Sequence, residues 1–305
     1  MSTAAATAGA LARRRRAFGF RLALPALLVL LLLLAVPTVL TLIYSVHDVP
    51  PNGNGFGPFV GFRNYAVIFA SPVFWRSVQV TVVFSIGFVV LSTVIGLAMA
   101  VLLAQDFIGR GLARALLIIP WATPWLVIGI LWKWFADGSV GGLNAVLTQL
   151  HLIPAYQEFL SDPFWALPIT MIAAVWRQAS FAGMLLLAGL QTLPGELGEA
   201  AAIDGANVWQ RFIHIVLPWL RPVLITVTVL NVIYAFLQFD IIFAMTQGGP
   251  GDATQTISIL IYRQLFGVTH IGLGSALAVL LGVLALVSGL LVVRLLYRPQ
   301  DEAAT

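Results

Sequence analysis

The sequence predicts an all-helical integral membrane protein with six transmembrane helices, and three observations carry that prediction. Of the 305 residues, 60% are hydrophobic and only 9% charged, at a mean hydropathy of +0.98, whereas a soluble domain carries about 25% charged residues. Six uncharged or nearly uncharged stretches, at 22–46, 78–104, 112–135, 164–190, 219–245 and 271–296, are each long enough to cross a hydrocarbon core, which takes about 20 helical residues. The basic residues are also shared unevenly among the segments that join these stretches.

The first stretch follows Arg13, Arg14, Arg15 and Arg16. Its 25 residues without a charge exceed the roughly 7–15 residues of a signal-peptide core, so an uncleaved first helix is expected. That arginine run accounts for much of the sequence pI of about 9.8, so the basic balance marks topology and no nucleic-acid partner is expected. In the third stretch Pro120 and Pro124 interrupt helical hydrogen bonding and predict a kink, with the freed carbonyls satisfied inside the protein. The fourth stretch holds Arg177 and Gln178, and the fifth holds Asn231, Gln238 and Asp240. An even number of crossings puts both termini on one side. With the N-terminus cytoplasmic, that side holds Arg13 to Arg16, Arg21, Arg110, Arg114, Arg211, Arg221, Arg294 and Arg298, and the other only Arg63, Arg76, Lys133 and Arg263, as the positive-inside rule requires. The chain then divides into a basic cytoplasmic N-terminus (1–21), a transmembrane domain (22–298) with a cytoplasmic loop at 191–218, and a short cytoplasmic tail (299–305). The absence of cysteine removes thiolate chemistry. His47, His151, His214 and His270 lie scattered among loops with no carboxylate at ligand spacing, so no metal site is expected.

The most polar interruption is EAAAIDGANVWQRFIHIVLP, residues 199–218. Pro194 suits the first turn of a short helix, Gly205 permits a turn that a Cβ would resist, and Val208, Phe212, Ile215 and Val216 then recur at helical spacing. Two short helices joined at Gly205 are expected. Glu199, Asp204 and Arg211 would each cost about 2.5–3.5 kcal/mol at mid-bilayer, so the segment belongs at the membrane surface.

Glu199, Ala200 and Ala201, Gly205 six residues after the glutamate, then Ile215, Leu217 and Pro218 resemble the EAA loop of permeases in binding-protein-dependent ABC importers. FDIIFAMTQGGPGDATQT at 239–256 and VWRQASFAGMLLLAGLQTLPGELGEAAAIDGA at 175–206 are similar to segments of the maltose-type carbohydrate permeases. The resemblance runs from about residue 60 to the end. It implies a type I ABC importer permease fold in a prokaryotic inner membrane, with Glu199, Ala200, Ala201, Asp204, Gly205, Ile215, Leu217 and Pro218 forming a coupling helix for a cytoplasmic ATPase dimer. It further implies a second homologous permease subunit, an extracytoplasmic binding protein or lipoprotein, and a di- or oligosaccharide substrate. A P-loop needs a lysine at the phosphates, and the only lysine is Lys133, between two tryptophans. ATP and Mg are therefore expected on a separate chain, with no cofactor here.

Polar residues inside a membrane mark a transport path or a pairing. Asn231, Ala235 and Gln238 stand at i, i+4 and i+7, one helical face. The resemblance places that face, and Trp121, against sugar; Arg177 and Gln178 are further candidates as polar residues inside a span. The bland alternatives are helix-to-helix hydrogen bonds for the amides and a clamp from Arg177 to a backbone carbonyl or to Asp240. If Arg177 is instead a counter-charge, a sugar phosphate such as glycerol 3-phosphate becomes the substrate. An ion-coupled secondary transporter or channel is the rival of another class. An intramembrane enzyme would need a motif such as H-E-x-x-H, which the sequence lacks.

Overall fold

A computed structural model describes residues 18–51 and 55–296. The arginine run at 13–16, Arg298 and the expected tail lie outside them. Twelve helices build the described chain: α1 (Phe18–Ser45), α2 (Arg63–Ala70), α3 (Pro72–Ala104), α4 (Arg110–Ala122), α5 (Trp125–Phe135), α6 (Gly142–Gln149), α7 (Ala166–Leu190), α8 (Gly195–Ile203), α9 (Val208–Phe236), α10 (Asp240–Met245), α11 (Ile257–Gly267) and α12 (Ile271–Leu296). No strand is present among the described residues. Five helices, α1, α3, α7, α9 and α12, are long and apolar enough to span a membrane, and the α4–α5 pair, bent by 100°, brings the candidate spans to six when it is read as one broken crossing.

The bend follows from its prolines. The backbone stops being helical at Thr123, and Pro124 serves as the N-cap of α5. Two gentler irregularities also precede prolines. Wide π-turns at Leu31–Ala35 and Phe212–Val216 lie just before Pro37 and Pro218, and the Leu217 N–H reaches back five residues to the Phe212 carbonyl. Proline brings no N–H, and one widened turn absorbs the mismatch without breaking the rod.

Two sequence expectations are corrected in the fifth crossing. The second short helix after Gly205 does not end before the membrane: it runs on without interruption as α9, 29 residues in all. At its far end α9 stops at Phe236, short of the expected boundary at 245, and residues 240–245 form the separate α10. The Ser258 hydroxyl donates to the Gln238 carbonyl at 2.6 Å, which ties the break at 237–239 to α11.

The centre of the bundle is the α3–α7 pair. Gly96 lets them approach so closely that a Cβ there would stand 2.6 Å from the Ala182 Cβ and 3.0 Å from the Ala179 carbonyl oxygen. Around this contact Phe84, Phe88, Ala173, Ala179 and Ala182 are fully buried. Gly129 does the same between α5 and α10, where an added Cβ would meet Ala244 at 2.6 Å. By contrast α1 packs mainly along α12, and its Phe18 to Leu34 segment exposes its apolar side chains.

At the end of the bundle opposite residues 191–207, the loop 246–256 folds into a polar knot. Gln247, Gly248, Gly251 and Asp252 all have positive φ. The Arg263 guanidinium gathers the loop, donating to the Asp252 carboxylate at 2.6 Å, to the Gln247 carbonyl at 3.1 Å and to the Gln255 side-chain oxygen. Gln255 and the Ile257 N–H in turn bond Ser77 and Thr81 on α3. Nearby, buried Asn144 bridges the backbone of Asp137 and Gln157. The Asp137 carboxylate accepts the Val140 and Ser139 N–H groups, which holds it below the usual carboxylate range.

Candidate functional site

The first site is the turn between α8 and α9. Helix α8 buries none of its residues. Pro194 is its N-cap, one position earlier than the first-turn place expected from sequence. The other end closes in two backbone bonds: the Gly205 N–H donates to the Ala202 carbonyl at 3.1 Å and the Ala206 N–H to the Ala201 carbonyl at 2.9 Å. This pair is a Schellman closure, whose C′ residue must be left-handed. Gly205 supplies that conformation with φ +82°, and a Cβ on it would touch nothing within 4 Å. The requirement for glycine is therefore backbone strain alone. Asn207 then opens α9 with a capping box: its Oδ1 accepts the Gln210 N–H at 2.9 Å, and the Gln210 Oε1 accepts the Asn207 N–H at 2.8 Å. Glu199, Ala200 and Asp204 are exposed, Ala201, Ile215 and Leu217 half-buried, and Pro218 exposed.

The second site lies within the crossings. Gln178 donates through Nε2 to Asn231 Oδ1 at 2.7 Å, and Asn231 Nδ2 donates to Thr93 Oγ1 at 3.1 Å, so one amide pair joins α3, α7 and α9. Gln178 and Asn231 are fully buried and Ala235 almost so. This corrects the expectation that Gln178 and Asn231 face an open cavity: the Gln178 Nε2 and both polar atoms of the Asn231 amide bond helix to helix, as an apolar interior favours, while the Gln178 Oε1 is buried without a partner. Gln238 is also buried but lies beyond the end of α9, off the helical face it was expected to share.

Arg177 is half-buried beside the break in the third crossing. Its Nε donates to the Thr123 carbonyl at 3.0 Å, and the guanidinium lies 4.0 Å from the Trp125 ring centroid. A carbonyl released by the bend thus meets a cation held over an aromatic face. Asp240 is exposed and forms no ion pair among the described residues. Trp125 stands 6.5 Å from the exposed Tyr234, and exposed Trp121 stacks on Phe181, one helical turn beyond Arg177, at 5.9 Å and 17°. Exposed Trp121 and Tyr234, with half-buried Trp125 and the guanidinium, make an aromatic, cationic face that the chain covers only in part. Tyr234 and Trp125 were missed from sequence. The one available signal, that each lies near a polar residue of its crossing, does not separate them from interfacial aromatics. Among the described residues no group of His, Cys, Asp or Glu is arranged to hold a metal ion.

A multi-span helical chain with an exposed, glycine-closed loop at one membrane face and a partly covered polar-aromatic face within its crossings is the membrane-embedded subunit of a transporter. Residues 92–303 match the family described as the binding-protein-dependent transport system inner membrane component. The chain belongs to that family. It is 40% identical over 277 residues to the trehalose/maltose transport system permease of Thermococcus litoralis, covering 90% of this chain and 91% of that one. It is 33% identical over 262 residues to the sulfoquinovosyl glycerol transport system permease of Agrobacterium fabrum, covering 86% and 84%. Its fold is similar to that of a chain in a bacterial ABC transporter that imports the acidic polysaccharide alginate, with TM-score 0.82 and 22% identity over 94% of this chain and 98% of that one.

Proposed function

We propose that the chain is one of two similar but non-identical permease subunits of an ATP-driven importer for a neutral di- or oligosaccharide of the trehalose or maltose kind. The observation that carries this reading is the Schellman-closed turn at Gly205, set within the 199–218 segment that resembles the EAA loop, with α8 left unburied and free to dock. Glu199 pairs with a basic residue of the ATPase, the loop faces the cytoplasm with both termini, and ATP with Mg is bound by the ATPase dimer. An extracytoplasmic binding protein delivers sugar at the opposite face. The relative at 40% identity is named for trehalose and maltose, which supports the substrate class.

Trp121, Trp125 and Tyr234 suit the apolar C–H faces of a sugar ring, with a few polar groups fixing its orientation. Two subunits apposed on these faces enclose the path, and ATP-driven closure shifts the assembly between outward and inward states. Family membership leaves no role for the ion-coupled carrier or channel. An anionic sugar, such as a sugar phosphate, is favoured by one observation: among the described residues only Nε of Arg177 has a hydrogen bond, and its two terminal nitrogens have none.

The test is uptake of labelled trehalose, maltose and glycerol 3-phosphate by proteoliposomes containing this chain with its cognate permease, ATPase and binding protein. ATP-dependent uptake of either disaccharide supports the reading. Selective uptake of glycerol 3-phosphate overturns the substrate class, and no uptake of any solute despite an assembled complex overturns the sugar assignment.

A further inference from the structure

The turn at Gly205 folds the end of α8 against the start of α9, and the crook between them forms an open cleft of about 390 Å³. Its walls include Ala201, Asp204, Gln210, Arg211, His214 and Ile215. The Arg211 Nε is buried with no hydrogen-bond partner, and no salt bridge joins Arg211 to Asp204 among the described residues. His214 lends Nδ1 to the Gln210 carbonyl at 2.9 Å, which leaves Nε2 without a bond among the described residues. A desolvated guanidinium nitrogen without an acceptor is unfavourable. Its natural complement is a carboxylate, which accepts from the planar fork in charge-assisted bonds.

We propose that this crook is a socket for one acidic side chain of the ATPase subunit, held by Arg211 with His214 beside it. The inference rests on the proposed coupling role of the loop and specifies a contact within it. The surroundings favour a protein over an anionic bilayer. Glu196, Glu199 and Asp204 stand on or next to α8 against the single Arg211, so the loop as a whole repels a uniformly negative surface. It fits a cleft of mixed sign, basic opposite Glu199 and acidic opposite Arg211. Apolar side chains on the two helices joined by the turn are also exposed, Ile203 at 87% and Val208 at 74%, and suit a protein contact that sets a charged anchor beside apolar surface.

The test uses the whole reconstituted transporter. Arg211→Glu lowers hydrolysis stimulated by loaded binding protein about tenfold, whereas Arg211→Lys, which keeps the charge but loses the planar fork, falls between Arg211→Glu and wild type. Arg211→Gln replaces Arg211→Glu if the latter fails to insert or assemble, and the same loss is expected. A benzophenone amino acid at Trp209, beside the cleft but outside its lining, crosslinks to an ATPase peptide that contains Asp or Glu. Changing that acidic residue to arginine restores hydrolysis to Arg211→Glu. The socket is refuted by wild-type hydrolysis in both Arg211→Glu and Arg211→Gln, by failure of the charge swap to rescue, or by crosslinks to lipid alone. Failure of the wild-type chain to assemble with any ATPase instead refutes the proposed function from which the socket follows.

Discussion

At Gly205 the residue identity is dictated by one dihedral angle. A left-handed backbone costs a residue with a Cβ about 1–2 kcal/mol, more for a β-branched one, and no neighbour would clash with the added carbon. Gly205→Val should therefore leave insertion and helix packing intact while α8 swings away and Glu199 loses its place. Hydrolysis stimulated by loaded binding protein should fall, and unchanged stimulation in the assembled complex would sink the coupling role. The turn was legible in the sequence because every bond in it spans five residues or fewer. Asn231 is the opposite case. Its partners Gln178 and Thr93 lie 53 and 138 residues away, so spacing alone could not say whether its amide meets sugar or another helix. The geometry makes Asn231→Ala a packing change. It should lower the melting temperature of the complex by the equivalent of about 0.6–1.7 kcal/mol while leaving the KM for uptake unaltered. A raised KM with unchanged melting would return Asn231 to the sugar.

Long apolar runs announced the crossings, because span length is set by membrane thickness and recorded directly in composition. The interruptions were less legible. Pro120 and Pro124 announced a kink, but a 100° bend needs a partner for the released Thr123 carbonyl, and that partner, Arg177, is 54 residues away. The end of α9 was invisible, since Ser258 on another element holds the Gln238 carbonyl. For the bent element the expected outcome of Arg177→Gln is a complex with reduced assembly or altered basal ATPase activity as well as reduced uptake, because the clamp on Thr123 is lost whether or not substrate is bound. Intact basal activity with selective loss of an anionic solute would make Arg177 a substrate ligand instead. The knotted loop offers a parallel test. Arg263 alone reaches Asp252, Gln255 and Gln247, so Arg263→Gln should speed hydrogen exchange across 247–256 and leave α7 and α9 protected. Equal exchange in the two proteins would mean that the bonds to Ser77 and Thr81 suffice.

Across the whole molecule, the proposed docking end and the proposed path share one element. Helix α9 runs from Val208 beside the Gly205 turn to Tyr234 on the aromatic face, and 29 residues at about 1.5 Å each make a rod of about 43 Å. The π-turn at Phe212–Val216 and the prolines at 218 and 222 lie in its first half, leaving the stretch beyond Pro222 as regular helix. If this rod carries the motion of the ATPase to the path, softening its middle should separate the two activities. Thr226 is exposed and Thr228 half-buried, away from both sites. Replacing both by glycine weakens the helix by about 1 kcal/mol per position relative to alanine, so the alanine pair controls for loss of the threonine side chains. In proteoliposomes the glycine pair should keep hydrolysis stimulated by loaded binding protein, because the turn at Gly205 and its contacts are untouched. Sugar imported per ATP should fall several-fold, since the aromatic face no longer follows the loop. The alanine pair should match wild type in both measures. Equal sugar-to-ATP ratios in the glycine and alanine pairs would show that α9 is not the lever, and that the motion reaches the face through the α3–α7 core instead.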